Sequence, residues 1–297
     1  MDLEGHIVEL TQLRYFQTAA YYQHISRAAE ELNISQPALS TMISRLEKEL
    51  GVPLFDHNGR SIILNQNGQR FLQRVNHILM EVENSKRELQ DIADEGDNSI
   101  SLAVSSSQFL QGMHAFMYQH PNYKWNQRVA ENKEIATLLN RGQIDLAVTS
   151  PGIYGEVFES TLLLRDIFKL AVHKDNPLAQ RKSVRLEELT DQRFIMLLKG
   201  LPFRAQTDRI FADLGITPHY IMECDHLLRR ELINANAGVT IASQSASFRH
   251  LFSENIRFLD IEDVHHTRDI VMVHRKGRYL NRASRQFADF LKQKFSP

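Results

Sequence analysis

The chain has 297 residues, 42% of them hydrophobic, with 35 Lys and Arg against 36 Asp and Glu and a formal net charge of −1. That length fits two or three domains, each with its own core, and the charge balance argues against a protein that coats nucleic acid by phosphate neutralisation alone. The single cysteine, Cys224, excludes an internal disulfide and a cysteine-rich metal centre. The opening MDLEGHIVEL has no signal-peptide core and no run reaches the roughly 18 apolar residues of a membrane helix, so a cytoplasmic protein without a membrane partner is expected.

After a short extension over residues 1–9, Leu10, Leu13, Phe16 and Ala20 recur at helical spacing and predict a first helix over Leu10–Tyr22. Ile25 to Leu50 reads as two short helices joined by a tight turn. Ala28, Ala29 and Leu32 mark the first, with Ser26 as its expected N-cap. Leu39, Met42 or Ile43, Leu46 and Leu50 mark the second, with Ser35 as N-cap and Pro37 in the opening turn, where a missing N–H costs little. Asn33 stands at the bend, where a residue tolerant of positive φ is needed. The second helix leaves Gln36, Ser40, Thr41, Ser44 and Arg45 outward. Short polar donors and acceptors with one Arg can read base edges in a major groove. A plain helical hairpin inside a larger core is the alternative at this point.

Gly51 is placed to end the second helix in the left-handed region. VPLFDHNGRSIILNQ then reads as a two-stranded wing turning at Asn58-Gly59, with Arg60 as a phosphate or minor-groove contact. Gln66 to Ala93 is one long helix. Leu72, Val75, Leu79, Val82 and Leu89 form an a/d seam, which predicts a partner helix, with packing on the helix's own domain as the alternative. Over residues 1–66, five basic residues face eight acidic ones, so non-specific DNA binding should be weak.

The stretch SRAAEELNISQPALSTMISRLEKELGVPLFDHNGRSIILNQNG resembles the N-terminal segment of LysR-type transcriptional regulators. The matching pieces are Ala28-Ala29, Ser35 to Ser40, Leu46-Glu47, Leu50-Gly51, Pro53-Leu54-Phe55, Gly59-Arg60 and Gly68. Chain length and the order of later elements extend the likeness over nearly the whole protein. The resemblance implies a winged helix-turn-helix over 1–66, a linker and dimerisation helix over 67–95, and a two-lobed α/β effector domain of periplasmic-binding-protein type over 96–297. Its first lobe would span about 96–168 and 269–297, and its second about 169–268. The residues expected at DNA are Ser26, Arg27, Ser35, Gln36, Pro37, Ala38, Ser40, Thr41, Ser44, Arg45, His57, Asn58 and Arg60. Two positions depart from the family pattern: His57 stands where a basic residue is usual, and Asn65 where Thr is usual. Double-stranded operator DNA, a second copy of the chain (with a tetramer favoured), a small-molecule effector and RNA polymerase are the partners so implied.

Beyond a polar hinge over Asp94–Ser99, apolar strands alternate with helices: 100–105, 144–150, 168–178, 194–198, 220–224, 238–243, 256–261 and 269–275. Alternation of this kind predicts mainly parallel sheets. Ligands in such sheets sit at the carboxyl ends of strands, near helix N-termini. That rule selects Ser105, Ser106, Ser107 and Gln108, then Thr149 and the adjoining Ser150, then Leu201, Pro202, Phe203 and Arg204 after Gly200. Cys224, closing the YIMEC strand, is the last candidate. The three hydroxyls in a row suit a carboxylate, although they would also serve as plain helix caps. No cofactor or metal is expected: His265-His266 lacks a third ligand at convincing spacing. Enzyme signatures such as GxSxG, a Walker loop or HExxH are missing from the sequence. A DNA-binding protein with a vestigial, ligand-free effector domain remains the competing reading.

Overall fold

The computed structural model describes residues 8–58, 61–93, 98–243 and 252–295, without the side chains of His57, Asn58 and Ser61. The chain forms two compact units, Met1–Gly96 and Asp97–Pro297.

The first unit is a winged helix-turn-helix. Helices α1 (Leu10–Tyr22), α2 (Ile25–Glu31) and α3 (Gln36–Leu50) precede a wing of antiparallel strands β1 (Phe55–Asn58) and β2 (Ser61–Leu64). Phe16, Ala19, Ala28, Leu39 and Leu46 are fully buried. The Phe16 ring lies 5.5 Å from Phe55 and 5.1 Å from Phe71, so one aromatic ties α1 to the wing and to the long helix that follows. Asn33 adopts φ 54° at the turn and Gly51 φ 71° at the end of α3, as their sequence positions require. Ser35 caps α3, its Oγ accepting from the Ala38 N–H at 3.3 Å. Ser26 is not the cap of α2. Ile25 packs against the core and is drawn into the first turn, so His24 takes the cap position, its Nδ1 accepting from the Arg27 N–H.

Two polar side chains fix the wing. The Glu47 carboxylate on α3 accepts from the backbone N–H of Leu54 at 2.7 Å and of Phe55 at 3.2 Å. Asn65 Oδ1 accepts from the Gly68 N–H at 3.0 Å, capping the next helix, while its Nδ2 donates to the Pro53 carbonyl at 3.1 Å. The residue at which the sequence departs from the family pattern therefore joins wing and helix.

That helix, α4, runs over Gln66–Ile92. Its seam needs correction. Val75 is fully buried in the unit's own core, and Leu72 and Leu79 pack against the same cluster with Phe71. The Gln17 amide also donates to Asn76 Oδ1 at 2.6 Å, binding α1 to α4. The first half of the apolar stripe thus faces an intramolecular partner. Exposed apolar surface comes later, at Ile78, Leu89 (67% exposed) and Ile92 (74%).

The second unit carries an eight-stranded mixed sheet and a smaller two-stranded one. Strands β3 (Ser99–Val104), β4 (Lys124–Val129) and β5 (Leu146–Thr149) are parallel. Beside β5 lies β12 (Thr267–Arg275), antiparallel, and then β6 (Phe158–His173). Up to Ile167, β6 pairs with β12. From Phe168 onward it pairs with β10 (Thr240–Ser243) and β11 (Ile256–Ile261), with β7 (Ser183–Val184) at the edge. Parallel β8 (Phe194–Leu197) and β9 (Tyr220–Cys224) complete the second lobe. The strands are therefore less uniformly parallel than expected, because β6 and β12 run antiparallel to every neighbour.

Each lobe has a core on both faces of its sheet. In the first, Ile100, Leu102, Val104 and Met272 pack under α5 (His114–Gln119) and α9 (Arg282–Phe295), with Phe116 and Phe287 at the centre. Ala103, Ala147 and Val271 face α6 (Asn132–Asn140) on the other side. In the second, Leu170 and Val172 pack with Phe194, Ile210 and Phe211 below α7 (Pro202–Asp213). Ala171, Ile195, Cys224 and Ala242 pack with Ile233 of α8 (His226–Asn234) on the opposite face. The period-2 alternation of apolar strands buried on both sides explains this division.

Gly68 tests the wing–helix junction. A Cβ there would meet the Leu54 carbonyl oxygen at 2.1 Å and Leu64 Cδ2 at 2.6 Å. Gly68→Ala should destabilise the first unit by ~1–3 kcal/mol. Denaturant unfolding of the full chain would show this as a lowered first transition; an unchanged midpoint would mean that α4 can lift away from the wing freely.

Candidate functional site

Two surfaces carry chemistry. On α3, Leu39, Ile43 and Leu46 point into the core, so helical geometry turns Gln36, Ser40, Thr41, Ser44 and Arg45 outward. Ser26, Arg27, Ser35, Pro37 and Ala38 are also exposed, at the N-termini of α2 and α3. The side chains of Gln36, Ser40, Thr41 and Ser44 have no hydrogen-bond partner within the described chain. Arg45 pairs with Glu49 at 2.9 Å, but its side chain is 63% exposed, and exposed pairs of this kind are worth only a few tenths of a kcal/mol. Glu49 also accepts from Gln12 at 3.2 Å. Arg60, and the side chains of His57 and Asn58, lie outside the described residues.

The second surface is the cleft between the lobes of the second unit. The loop after β3 brings Ser105, Ser106, Ser107, Gln108 and Phe109. The start of α7 brings Leu201, Pro202 and Phe203. Together with Val129, Ser150, His226 and Arg268 they line a cavity of about 150 Å³. Ser105 Oγ accepts from the Ser150 N–H at 3.0 Å, and Ser106 caps the short helical turn over Ser107–Leu110 through the Gln108 N–H. These two hydroxyls are thus partly occupied as local supports. A second cavity of about 530 Å³ lies beside the first, lined among others by Tyr154, Phe168, Gln206, Arg209 and His266. This volume is within the range of small-molecule pockets. Ser150, Pro202 and Arg268 border both cavities. At that partition Ser150 Oγ accepts from Arg268 Nε at 3.1 Å and faces Gln206 Nε2 at 3.5 Å.

Three of the residues expected in the cleft are not there. Thr149 is fully buried in β5, and the residue after it, Ser150, reaches the cavities instead. Arg204 turns into its own lobe, where Asp208 (2.6 Å), Glu223 (2.7 Å) and the Leu197 carbonyl (2.6 Å) hold it. Burial opposes its charge, but the hydrogen bonds to Asp208 and Glu223 more than offset this and raise its pKa. Cys224 lines none of these cavities: it is buried in the core under α8, with its thiol 3.8 Å from the Met196 carbonyl, and burial raises its pKa against the opposing effect of Arg229.

The cleft's strongest charges were not among the expected residues. Arg268 stands at the start of β12, with its guanidinium 4.8 Å from the centre of the Phe203 ring and 5.4 Å from that of Phe109. Arg229 on α8 lies 5.5 Å from the same Phe203 ring. Burial pushes both down to about 10, with Asp166 opposing the shift at Arg268. His226 is driven down to about 4, by burial first and then by Arg229 and Arg268, so it is neutral at neutral pH. A signal existed in the sequence: Arg229 sits four residues before buried Ile233, on the inward face of its helix.

This gives a pH dependence. In the unfolded chain His226 takes up a proton near pH 6.5, whereas in the folded protein it resists until about pH 4. Its contribution is complete above pH 6.5 and is lost as pH falls toward 4, by up to ~3 kcal/mol. Thermal unfolding of wild type and His226→Gln between pH 7 and 4 should show a flatter decline in the variant. Parallel curves would place His226 in water.

The comparisons with known proteins cover both surfaces. The family model described as "Bacterial regulatory helix-turn-helix protein, lysR family" matches residues 10–69, and "LysR substrate binding domain" matches residues 94–296. A Bacillus subtilis HTH-type transcriptional regulator, YybE, is 31% identical over 294 residues, covering 97% of this chain and 100% of the relative. Among solved structures, full-length OxyR of Pseudomonas aeruginosa is similar in fold, with a TM-score of 0.66 at 20% identity over 98% of this chain and 95% of that one. Full-length CbnR in complex with its target DNA has a TM-score of 0.55 at 21% identity, over 97% and 100% of the two chains.

Proposed function

The chain belongs to the LysR family of transcriptional regulators, and from that premise we propose that a small organic molecule, a carboxylate in the first instance, occupies the cleft and controls how the α3 face engages operator DNA. The observation that carries the DNA half of this reading is the set of four side chains, Gln36, Ser40, Thr41 and Ser44, that are exposed and unengaged on one helix face. Such groups satisfy nothing in the fold and match the donors and acceptors of base edges. Arg27, Arg45 and the free N–H groups at the start of α3 then supply phosphate contacts that set register. The effector half is supported by two adjoining cavities bordered by both lobes. A thiol–disulfide switch within the chain is excluded, since Cys224 is alone and buried.

No helix among the described residues is long and apolar enough to cross a membrane, and a regulator of this class works where the DNA is, in the cytoplasm. A second copy of the chain would pack on the exposed end of α4, through Leu89 and Ile92 with Val82 beside them, and a dimer would present two α3 faces to two half-sites. Pairing of dimers into a tetramer and contact with RNA polymerase are further parts of the same proposal.

Gln36→Ala should lower affinity for the operator by about 1–3 kcal/mol and relax base preference, while Arg27→Ala should weaken all duplexes alike. Binding of both variants to operator and scrambled duplexes decides the assignment. Uniform loss in both would take Gln36 off the bases. Leu89→Glu should shift the protein to a smaller species in sedimentation velocity; an unaltered assembly would move the contact elsewhere.

A further inference from the structure

Resting on the cleft reading above, we infer that the effector is a small carboxylate whose charged end is seated in the second lobe, on Arg229 beside His226, and not on the Ser105–Ser107 loop. Arg229 carries a buried charge that no acid balances among the described residues. Arg229 is 7% exposed, and burial lowers its pKa to about 10. Its Nη1 makes one long contact, 3.4 Å, to the Ile241 carbonyl, and its Nε is buried without a hydrogen-bond partner. Among the described residues no carboxylate acts on it, and only the Cys224 thiol opposes the effect of burial. The nearest acid in sequence, Glu231, is exposed, and Asp225, one turn before Arg229, is engaged as the N-cap of α8, accepting from Leu227 and Leu228 at 2.8 and 2.9 Å. Residues 244–251, which border this region in sequence, contain no Asp or Glu.

A buried guanidinium without a counter-ion carries a large desolvation cost. Arg268, in contrast, has Asp166 to oppose its shift. Arg229 thus lacks the acid that Arg268 has, and Arg230 lines the same recess, so a negative group on the ligand would offset positive charge there. His226 adds a second unmet group. It is neutral, and its Nδ1 is buried without a partner. A carboxylate bound to Arg229 can take a second hydrogen bond from the imidazole. Space is present: a recess of about 170 Å³ is lined by Gln108, His226 and Arg229, and the cavity of about 150 Å³ shares Gln108 and His226 with it. The walls of the latter, Phe109, Pro202 and Phe203, suit a flat apolar body attached to the carboxylate.

The test uses the full chain and matched probe pairs at fixed ionic strength: acetate with acetamide, propionate with propionamide, phenylacetate with phenylacetamide. The carboxylates should raise the thermal midpoint and the amides should not. Arg229→Met, which removes the charge while keeping the bulk, should unfold at a higher temperature than wild type in buffer alone. It should also bind the best carboxylate about tenfold more weakly, or worse. A merely structural arginine would give the opposite: lower stability, with the carboxylate response retained. Arg229→Lys, which keeps the charge, should weaken the response without abolishing it, and provides the comparison should the Met variant not fold. If no carboxylate stabilises the protein more than its amide, the inference is overturned. An uncharged compound that fills the cleft and alters the DNA footprint would also overturn it while leaving the regulator reading intact. A carboxylate that binds through Arg229 yet never changes the footprint would do the reverse.

Discussion

The second unit depends on two strands that cross between lobes side by side. β6 leaves the first lobe where β12 returns to it, and the two remain hydrogen-bonded through the crossing, with Ile167 opposite Thr267 and Asp166 opposite Arg268. Two crossings at separate places would let the lobes twist as well as close. A paired ribbon restricts them to bending, the hinge motion of two-lobed binding proteins. Arg268 sits on that ribbon. It donates to Ser150 of the first lobe and lies over Phe203 of the second. Whatever occupies the cleft therefore touches the hinge itself.

The first unit obeys a different constraint, economy of apolar surface. Three short helices and a hairpin hold one core around Phe16, and α4 must contribute Phe71, Leu72, Val75 and Leu79 to close it. The polar ties at Glu47 and Asn65 fix the wing against α3 and α4. None of this work falls to the outer face of α3. Its Gln, Ser and Thr side chains are thus left free, and a helix face with no structural duty is available to read a partner.

The trihelical head was legible because its signals are local. Apolar periodicity, the Ser35 cap, the Asn33 bend and the Gly51 stop all act within a few residues. The winged helix-turn-helix and the two-lobed α/β architecture followed from these and from the resemblance. What escaped is non-local. The edge strand β4, KWNQRV, is exposed on most of its positions and shows no apolar run. The first half of β6 was missed since its partner β12 lies a hundred residues away. The a/d seam on α4 is half intramolecular, because a heptad stripe does not say whether its partner is in the same chain. Arg204 and Arg229 show the same limit. Both stand on inward helix faces near a cleft, but only the acids facing Arg204 from α7 and β9 make it structural. No spacing rule reveals that Glu223 reaches Arg204, or that no acid among the described residues reaches Arg229.

The unmet polar atoms of the second unit bear on how a ligand could act at all. A ligand shifts an arrangement only by interacting with it better than with the alternative. In the cleft, buried atoms without partners are contributed by two helices of the second lobe: Gln206 Oε1 by α7, and His226 Nδ1 and Arg229 Nε by α8. A water-filled, open cleft would satisfy those that face it, and a closed, empty one would satisfy none. The closed arrangement is therefore the one that most needs a molecule of matching polarity. A compound that supplies an anion to Arg229 and an acceptor or donor to its neighbours favours closure by removing the penalty that closure would otherwise carry. Ser150, held by Arg268 and facing Gln206 at the partition between the two cavities, is then the point at which the first lobe registers that the second has been filled.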